Sequence, residues 1–208
     1  FMDRFQRRLG EWMSQASAAD STDPLRLCIV GGGAAGVELA LCLSSGLKTR
    51  GIAAELSLCE GSLQLMSSAG AGARRRVLRE IGRRGMRVLV GRRVVGCDDD
   101  GPPALILDDG EHFPCDLAIW ATGAAPPAPV SRFGLPLSVR GFLSTKATLQ
   151  STGDDNVFVV GDTADQMGTP VPKAGVYAVR QAPVLRENLR RRLTGEKLET
   201  YRPQQGFL

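Results

Sequence analysis

The sequence predicts an α/β fold. A parallel sheet with helices is extended by a β-hairpin or meander, and a second α/β segment follows. Three observations carry this. The apolar run LRLCIV (25–30) leads directly into glycines and then a helical pattern. A second apolar run, AAELSLCE (53–60), and a second helical pattern, 73–85, repeat the order. A proline-rich break, APPAPV (125–130), separates these from the strand NVFVVGD (156–162) and a long helix from about 173 to 193.

Each element has its own justification. Phe1, Phe5, Leu9, Trp12 and Met13 fall on one stripe at helical spacing, with Arg4, Arg7, Arg8 and Glu11 opposite, so 1–17 reads as an amphipathic helix within a linker segment 1–24. Such a helix either docks on its own domain or lies on a membrane surface. STDP (21–24) ends it. LRLCIV is continuously apolar, as in a strand buried on both faces. VELALCLSSGL (37–47) is the first helix of the sheet, with Gly46 near its end, and ARRRVLREIGRRG (73–85) is stopped by Gly85. MRVLVGRRVVGCD (86–98) reads as strand, DDDGPPA as a turn, ALILDD (104–109) as strand, DGE as a hairpin turn, and FPCDLAIWATG (113–123) as a further buried strand. Pro183 lies inside the last helix and should kink it, and Gly195 closes it.

Composition excludes several classes. The longest apolar runs are strand length, far short of the ~20 residues of a membrane span. The opening FMDRFQRR does not resemble a secretory leader, and a chain starting at Phe1 reads as a piece of something longer. Net charge is +4. The arginine clusters 74–76, 83–84 and 190–192 sit on predicted helices without interleaved aromatics, which argues against nucleic acid. Cys28, Cys42, Cys59, Cys97 and Cys115 are scattered singly in apolar surroundings. Buried thiols in a reducing cytoplasm are expected, and with His112 the sole histidine no histidine-rich metal site is.

Gly31, Gly33 and Gly36 form G-x-G-x-x-G between a strand and a helix, the context a dinucleotide loop requires. Gly31 permits the turn, Gly33 lets backbone approach a pyrophosphate, and Gly36 lets helix and strand pack closely. The amides after it, through Ala34 and Ala35, would meet the phosphates at the positive end of the helix dipole. Glu60 closes the second strand 24 residues after Gly36. A carboxylate there accepts both ribose hydroxyls of an adenosine and repels a 2′-phosphate, favouring NADH over NADPH; otherwise it is a surface acid. A methyltransferase shares these features, but the hairpin after 86 counts against one.

GGGAAGVE, AIWATGAAP (118–126) and VFVVGDTA (157–164) resemble, in order and spacing, the pyridine nucleotide-disulfide oxidoreductase superfamily, whose members transfer hydride from NAD(P)H to FAD. The resemblance implies a Rossmann-like NAD(H)-binding domain at 25–126 and the C-terminal portion of an FAD-binding domain at 127–208. Thr122 and Gly123 are similar to the family's crossover segment. Gly161 and Asp162 resemble the motif whose aspartate binds the ribityl chain; Asp162 reads otherwise as a turn or capping residue. In PKAGVYAVRQ (172–181), Pro172 suits a first helical turn, and the resemblance sets Lys173, Ala174 and Gly175 near the flavin, where the helix dipole would favour reduced flavin. Lys173 could equally be a solvated surface lysine. Glu38 is either near the nicotinamide or an exposed acid in an early helical turn. The final helix looks like the type II NADH dehydrogenase and sulfide:quinone reductase branch, and like the NADH dehydrogenase-like domain sometimes fused to selenophosphate synthase.

The family's earlier glycine loop, for the ADP half of FAD, has no counterpart before Gly31, so this chain is expected to bind FAD poorly by itself; FAD would be held together with a missing N-terminal part. No redox-active CxxC is present, so no disulfide reductase is implied. No catalytic acid, base or nucleophile is nominated. The reading is the NADH-binding portion of a flavin-dependent oxidoreductase, with an acceptor such as a quinone. The alternative is a non-catalytic nucleotide-binding sensor, which would need no ribityl-binding aspartate. The sequence leaves open a homodimer and peripheral membrane association of the intact protein.

Overall fold

The computed structural model describes residues 2–18, 22–67, 69–98, 100–169 and 171–204. Phe1 of the N-terminal stripe, Ser21 of the STDP break and Asp99 of the predicted turn lie outside them. The chain divides into two compact units, 1–122 and 123–208.

In the first unit β1 (Leu25–Val30), β2 (Ala54–Glu60), β3 (Arg87–Val90) and β7 (Leu117–Trp120) form a parallel sheet in the order β3-β2-β1-β7. Alternation along β1 explains its apolar run. Leu25, Leu27 and Ile29 face a cluster with Ala40, Leu47, Leu58 and Ile81, while Cys28 and Val30 face a cluster with Leu89, Leu105, Leu107 and Phe113. The first face is covered by α2 (Ala34–Thr49) and α3 (Ala71–Arg83). The second is covered by an antiparallel sheet of β4 (Val94–Asp98), β5 (Ala104–Leu107) and β6 (His112–Pro114). Helix α1 (Met2–Ala18) buries Leu9 and packs Phe5 and Trp12 against the first cluster, while Met13 stays largely outside.

Two predicted strands each divide. The run 86–98 ends its parallel pairing at Val90, turns at Gly91 (φ +70°), and resumes at Val94 in the antiparallel sheet. Likewise 113–123 divides around Cys115 and Asp116, its first part pairing with β5 and its second with β1. Asp116 fixes the division: its N–H donates to Arg26 O (2.9 Å), and its carboxylate accepts from Arg26 N–H (2.8 Å) and the Arg26 guanidinium. Both helices of the sheet begin earlier than expected, α2 at Ala34 and α3 at Ala71. The predicted strand 104–109 stops at Leu107, because Asp108 already belongs to the turn.

The thiols also differ from expectation. Cys28, Cys59 and Cys115 are buried, but Cys42 and Cys97 are exposed, since helical and strand periodicity put them on outer faces. Cys28 and Cys59 sulfurs lie 3.3 Å apart across β1 and β2. Hydrogen bonds with the Cys115 and Cys59 thiols, together with burial, push the Cys28 thiol up, so it is neutral and unreactive at physiological pH.

The second unit pairs β8 (Leu143–Thr145) in parallel with β9 (Ala164–Gln166) around a core of Val130, Leu143, Val159 and Ala164. Residues 156–162, expected as a strand, are not one. They bridge Gln150 at Phe158, with Val159 N–H donating to Leu149 O (2.9 Å) and Ser151 N–H to Val157 O (2.7 Å). Helix α4 (Gly175–Thr194) starts two residues later than expected, leaving Pro172 and Lys173 in the approach to it. It runs without a break through Pro183, and Gly195 ends it in a left-handed conformation. Asn188 is fully buried on α4 and holds three backbone groups: it donates to Thr148 O and Glu199 O (both 2.9 Å) and accepts from Glu199 N–H (2.7 Å).

Candidate nucleotide-binding site

The loop after β1 is built by close approach of backbone. Gly31 (φ +114°) donates its N–H to Cys59 O (2.7 Å), and a Cβ there would stand 2.4 Å from Ala121 O. A Cβ on Gly36 would stand 1.9 Å from Gly31 O, so α2 can approach the turn only with glycine at that position. Gly32, an unconstrained position of the motif, is equally closed: a Cβ would meet Leu65 Cδ2 at 2.3 Å and Glu60 Cβ at 2.9 Å.

Gly33 is different. Its φ is −70°, open to any residue, and a Cβ on it would find nothing within 4 Å. No contact among the described residues asks for glycine at Gly33. It is the N-cap of α2, which carries no side-chain cap. The first helical bond is Val37 N–H to Gly33 O (3.0 Å), so the N–H groups of Ala34, Ala35 and Gly36 precede the ladder. An uncapped helix end preceded by a glycine whose missing Cβ leaves room fits the phosphates of a dinucleotide.

Glu60 stands beside this loop at the end of β2. Its Oε2 accepts the Gly32 N–H (2.6 Å) and its Oε1 the Ser62 N–H (2.7 Å). Burial alone would raise its pKa, but the Ser62 and Gly32 donors outweigh it and hold the carboxyl below its ordinary value of 4.5. Gly31, Gly33, Gly36 and Glu60 are thus brought together at the C-terminal ends of parallel strands, where open α/β sheets bind ligands. Thr122, exposed, follows β7 next to Ala121, against which the glycine turn packs. Glu38 is exposed on the early part of α2. A concavity of about 690 Å³ lies at the opposite strand ends among Arg26, Lys48, Glu55, Arg84 and Arg87. Gly31, Gly33, Gly36 and Glu60 do not line it.

The second unit gathers the remaining predicted residues apart from Gly123, its first residue. Gly161 (φ +68°) and Asp162 lie in a 3-10 turn, and Gly161 N–H donates to Gln181 Oε1 on α4 (2.7 Å). The Asp162 side chain is exposed, and one small cleft is lined by Gly161, Asp162, Lys173 and Ala174. Ala174 is the N-cap and Gly175 the first residue of α4, again without a side-chain cap. Lys173 is not solvated. Its side chain is 6% exposed, its ammonium lies 3.9 Å from the Phe142 ring centroid, donates to Ala164 O, and pairs with Asp165 at 3.3 Å. Burial lowers its pKa against the opposing pull of Asp165, which Arg140 also grips.

Sequence reasoning missed Gly32, Ser62 and Arg93, whose backbone or side chain shapes the loops around Glu60. The run of three consecutive glycines was the available signal for the first.

The family model described as pyridine nucleotide-disulphide oxidoreductase matches residues 3–182. Demethylphylloquinone reductase NdbB of Synechocystis sp. is 27% identical over 194 residues, 92% of this chain and 47% of the relative. Type II NADH:quinone oxidoreductase of Haemophilus influenzae is 29% identical over 178 residues, 79% of this chain and 39% of the relative. The chain therefore spans less than half the length of these relatives. The crystal structure of a FAD-dependent pyridine nucleotide-disulphide oxidoreductase from Desulfovibrio vulgaris superposes with a TM-score of 0.60 at 25% identity, covering 86% of this chain and 45% of that one. With the match running through both units, the chain belongs to the pyridine nucleotide-disulphide oxidoreductase family.

Proposed function

We propose that this chain is the NADH-binding portion of a flavin-dependent oxidoreductase that passes hydride from NADH to FAD and on to an acceptor such as a quinone. One observation carries the reading: Gly33, where nothing inside the protein requires a glycine, stands at an uncapped helix N-terminus. The N–H groups of Ala34, Ala35 and Gly36 would bind the pyrophosphate, and the Glu60 carboxylate would accept the adenosine ribose hydroxyls. Thr122 and Gly123 would lead toward the flavin part. Asp162, after Gly161, would bind the ribityl chain; Lys173, Ala174 and Gly175 would present the positive end of α4 to the flavin ring, and Glu38 would lie near the nicotinamide. When bound, the nicotinamide supplies the hydride and the flavin accepts it, so the protein's part is positioning rather than proton transfer. Domains of 25–126 and 127–208 belong to this reading, as do a cytoplasmic location, a homodimer, and FAD binding only together with a further flavin-domain part. No helix among the described residues is long and apolar enough to cross a membrane. The quinone acceptor is supported by the names of the cyanobacterial and Haemophilus relatives.

The test is a calorimetric titration of the 208-residue chain with NADH, repeated with Glu60→Ala. Binding that weakens about tenfold in the variant is expected from loss of two charge-assisted hydrogen bonds. A folded chain with no affinity for NADH would overturn the reading.

A further inference from the structure

A groove of about 390 Å³ runs along β7 in the first unit, and none of the roles above uses it. Strand β7 pairs with β1 on one side and ends the parallel sheet on the other. Helix α1 contributes Phe5 to the groove, β5 contributes Leu105, and β7 contributes Leu117, Ile119 and Trp120. Ile119 and Leu105 are buried, whereas the Trp120 side chain is 49% exposed. A large apolar ring left half in water beside an apolar groove is surface that a ligand could cover.

The charged residues along the groove are not balanced. Asp116 lines it, but its carboxylate is taken up by the Arg26 N–H (2.8 Å) and the Arg26 guanidinium. Arg4 and Arg8 both line the groove and stand one helical turn apart on α1, so they share a face. Arg4 is exposed and, among the described residues, makes no ion pair or hydrogen bond through its guanidinium. Arg8 has Glu11 at 3.2 Å, but both side chains are largely in solvent, at 63% and 48% exposure, and such a pair competes weakly with a ligand. The groove therefore offers apolar surface along β7 and unopposed positive charge on α1.

We propose that this groove binds one long-chain carboxylate, with its tail along β7 and its head between Arg4 and Arg8. The volume falls within the range of about 300–1,000 Å³ typical of small-molecule sites, which suits a single chain rather than a bilayer surface. Removing the tail and the Trp120 ring from water drives binding, and the guanidinium fork takes the two carboxylate oxygens. The inference stands apart from the dinucleotide reading, since neither 31–36 nor Glu60 lines the groove.

The test titrates the 208-residue chain with decanoate below its micelle concentration. Trp120 fluorescence is followed in a Trp12→Phe background, which removes the other tryptophan, and calorimetry gives the stoichiometry. One saturable site with a blue shift of Trp120 emission is expected. Each methylene from hexanoate to decanoate should tighten binding about threefold to fourfold. Arg4→Glu combined with Arg8→Glu should weaken decanoate binding about tenfold at an unchanged unfolding midpoint, and decyltrimethylammonium should bind the unmodified chain at least about tenfold more weakly than decanoate. Equal affinity for the two head groups would overturn the proposal, as would decanoate binding that ignores the charge reversals. Binding to anionic vesicles with no response to decanoate would overturn it in favour of a membrane surface. A dimer by light scattering, with Trp120 silent to decanoate, would overturn it in favour of a second copy of the chain.

Discussion

Glu60 and Gly32 are joined directly: the Glu60 carboxylate accepts the Gly32 N–H at 2.6 Å and, through its other oxygen, the Ser62 N–H at 2.7 Å. A side chain at the end of β2 thereby holds the loop after β1 in place. The acid proposed to meet a ribose also shapes the turn proposed to meet the phosphates.

That double role predicts a pH signature. The folded-state pKa of Glu60 lies below its ordinary 4.5, so its contribution to stability is present above about pH 4.5 and lost as pH falls through the folded value. Glu60→Gln keeps the size but cannot accept both N–H groups. It should cost about 1–3 kcal/mol at pH 7. Urea denaturation at pH 7 and pH 3 checks this: the gap between wild type and variant should narrow at the lower pH.

Asp116 should matter to the first unit as a whole. It clamps the start of β1 to the start of β7 through the Arg26 backbone and guanidinium. Removing the acceptor in Asp116→Ala leaves the Arg26 N–H and guanidinium without it, at a cost of about 2 kcal/mol, discounted for the partly exposed Arg26 head. Thermal unfolding followed by circular dichroism reads it as a lower midpoint.

In the second unit the corresponding point is Asn188. Asn188→Ala would leave the Thr148 and Glu199 carbonyls and the Glu199 N–H without their partner. A loss of about 3 kcal/mol is expected, with increased amide exchange confined to the segments around Thr148 and Glu199. Unchanged exchange there would show that Asn188 does not pin the tail.

How much of this was legible beforehand depends on what each residue must do locally. The strand, glycine loop and first helix at 25–49 were readable because periodicity and glycine spacing both lie within one short segment. The divisions of 86–98 and 113–123 were not. Apolar residues flank each crossing from one sheet to the other, and only the short interruptions Gly91-Arg92-Arg93 and Pro114 to Asp116 mark them. The lone run 156–162 looks like a strand by composition, but strand formation needs a neighbour, which composition does not report. Gly32 was hidden because the motif leaves that position free, whereas the obstacle to a side chain comes from Leu65 and Glu60, distant in sequence. Arg93 was hidden for the same reason: it reaches Gly61 from a different strand end.

The glycines of the loop should separate cleanly by substitution. Gly36→Ala puts a Cβ 1.9 Å from Gly31 O and Gly31→Ala puts one 2.4 Å from Ala121 O, so each should destabilise the first unit by about 3 kcal/mol or more. Both variants should lose structure and ligand binding together.

Gly33→Ala tests the central claim most directly, because its Cβ meets nothing in the protein and its φ of −70° suits any residue. NADH titration of this variant, beside its unfolding curve, should show unchanged or slightly raised stability with affinity reduced about tenfold or more. Undiminished NADH affinity in a fully folded Gly33→Ala chain would contradict the assignment of this loop to the dinucleotide phosphates.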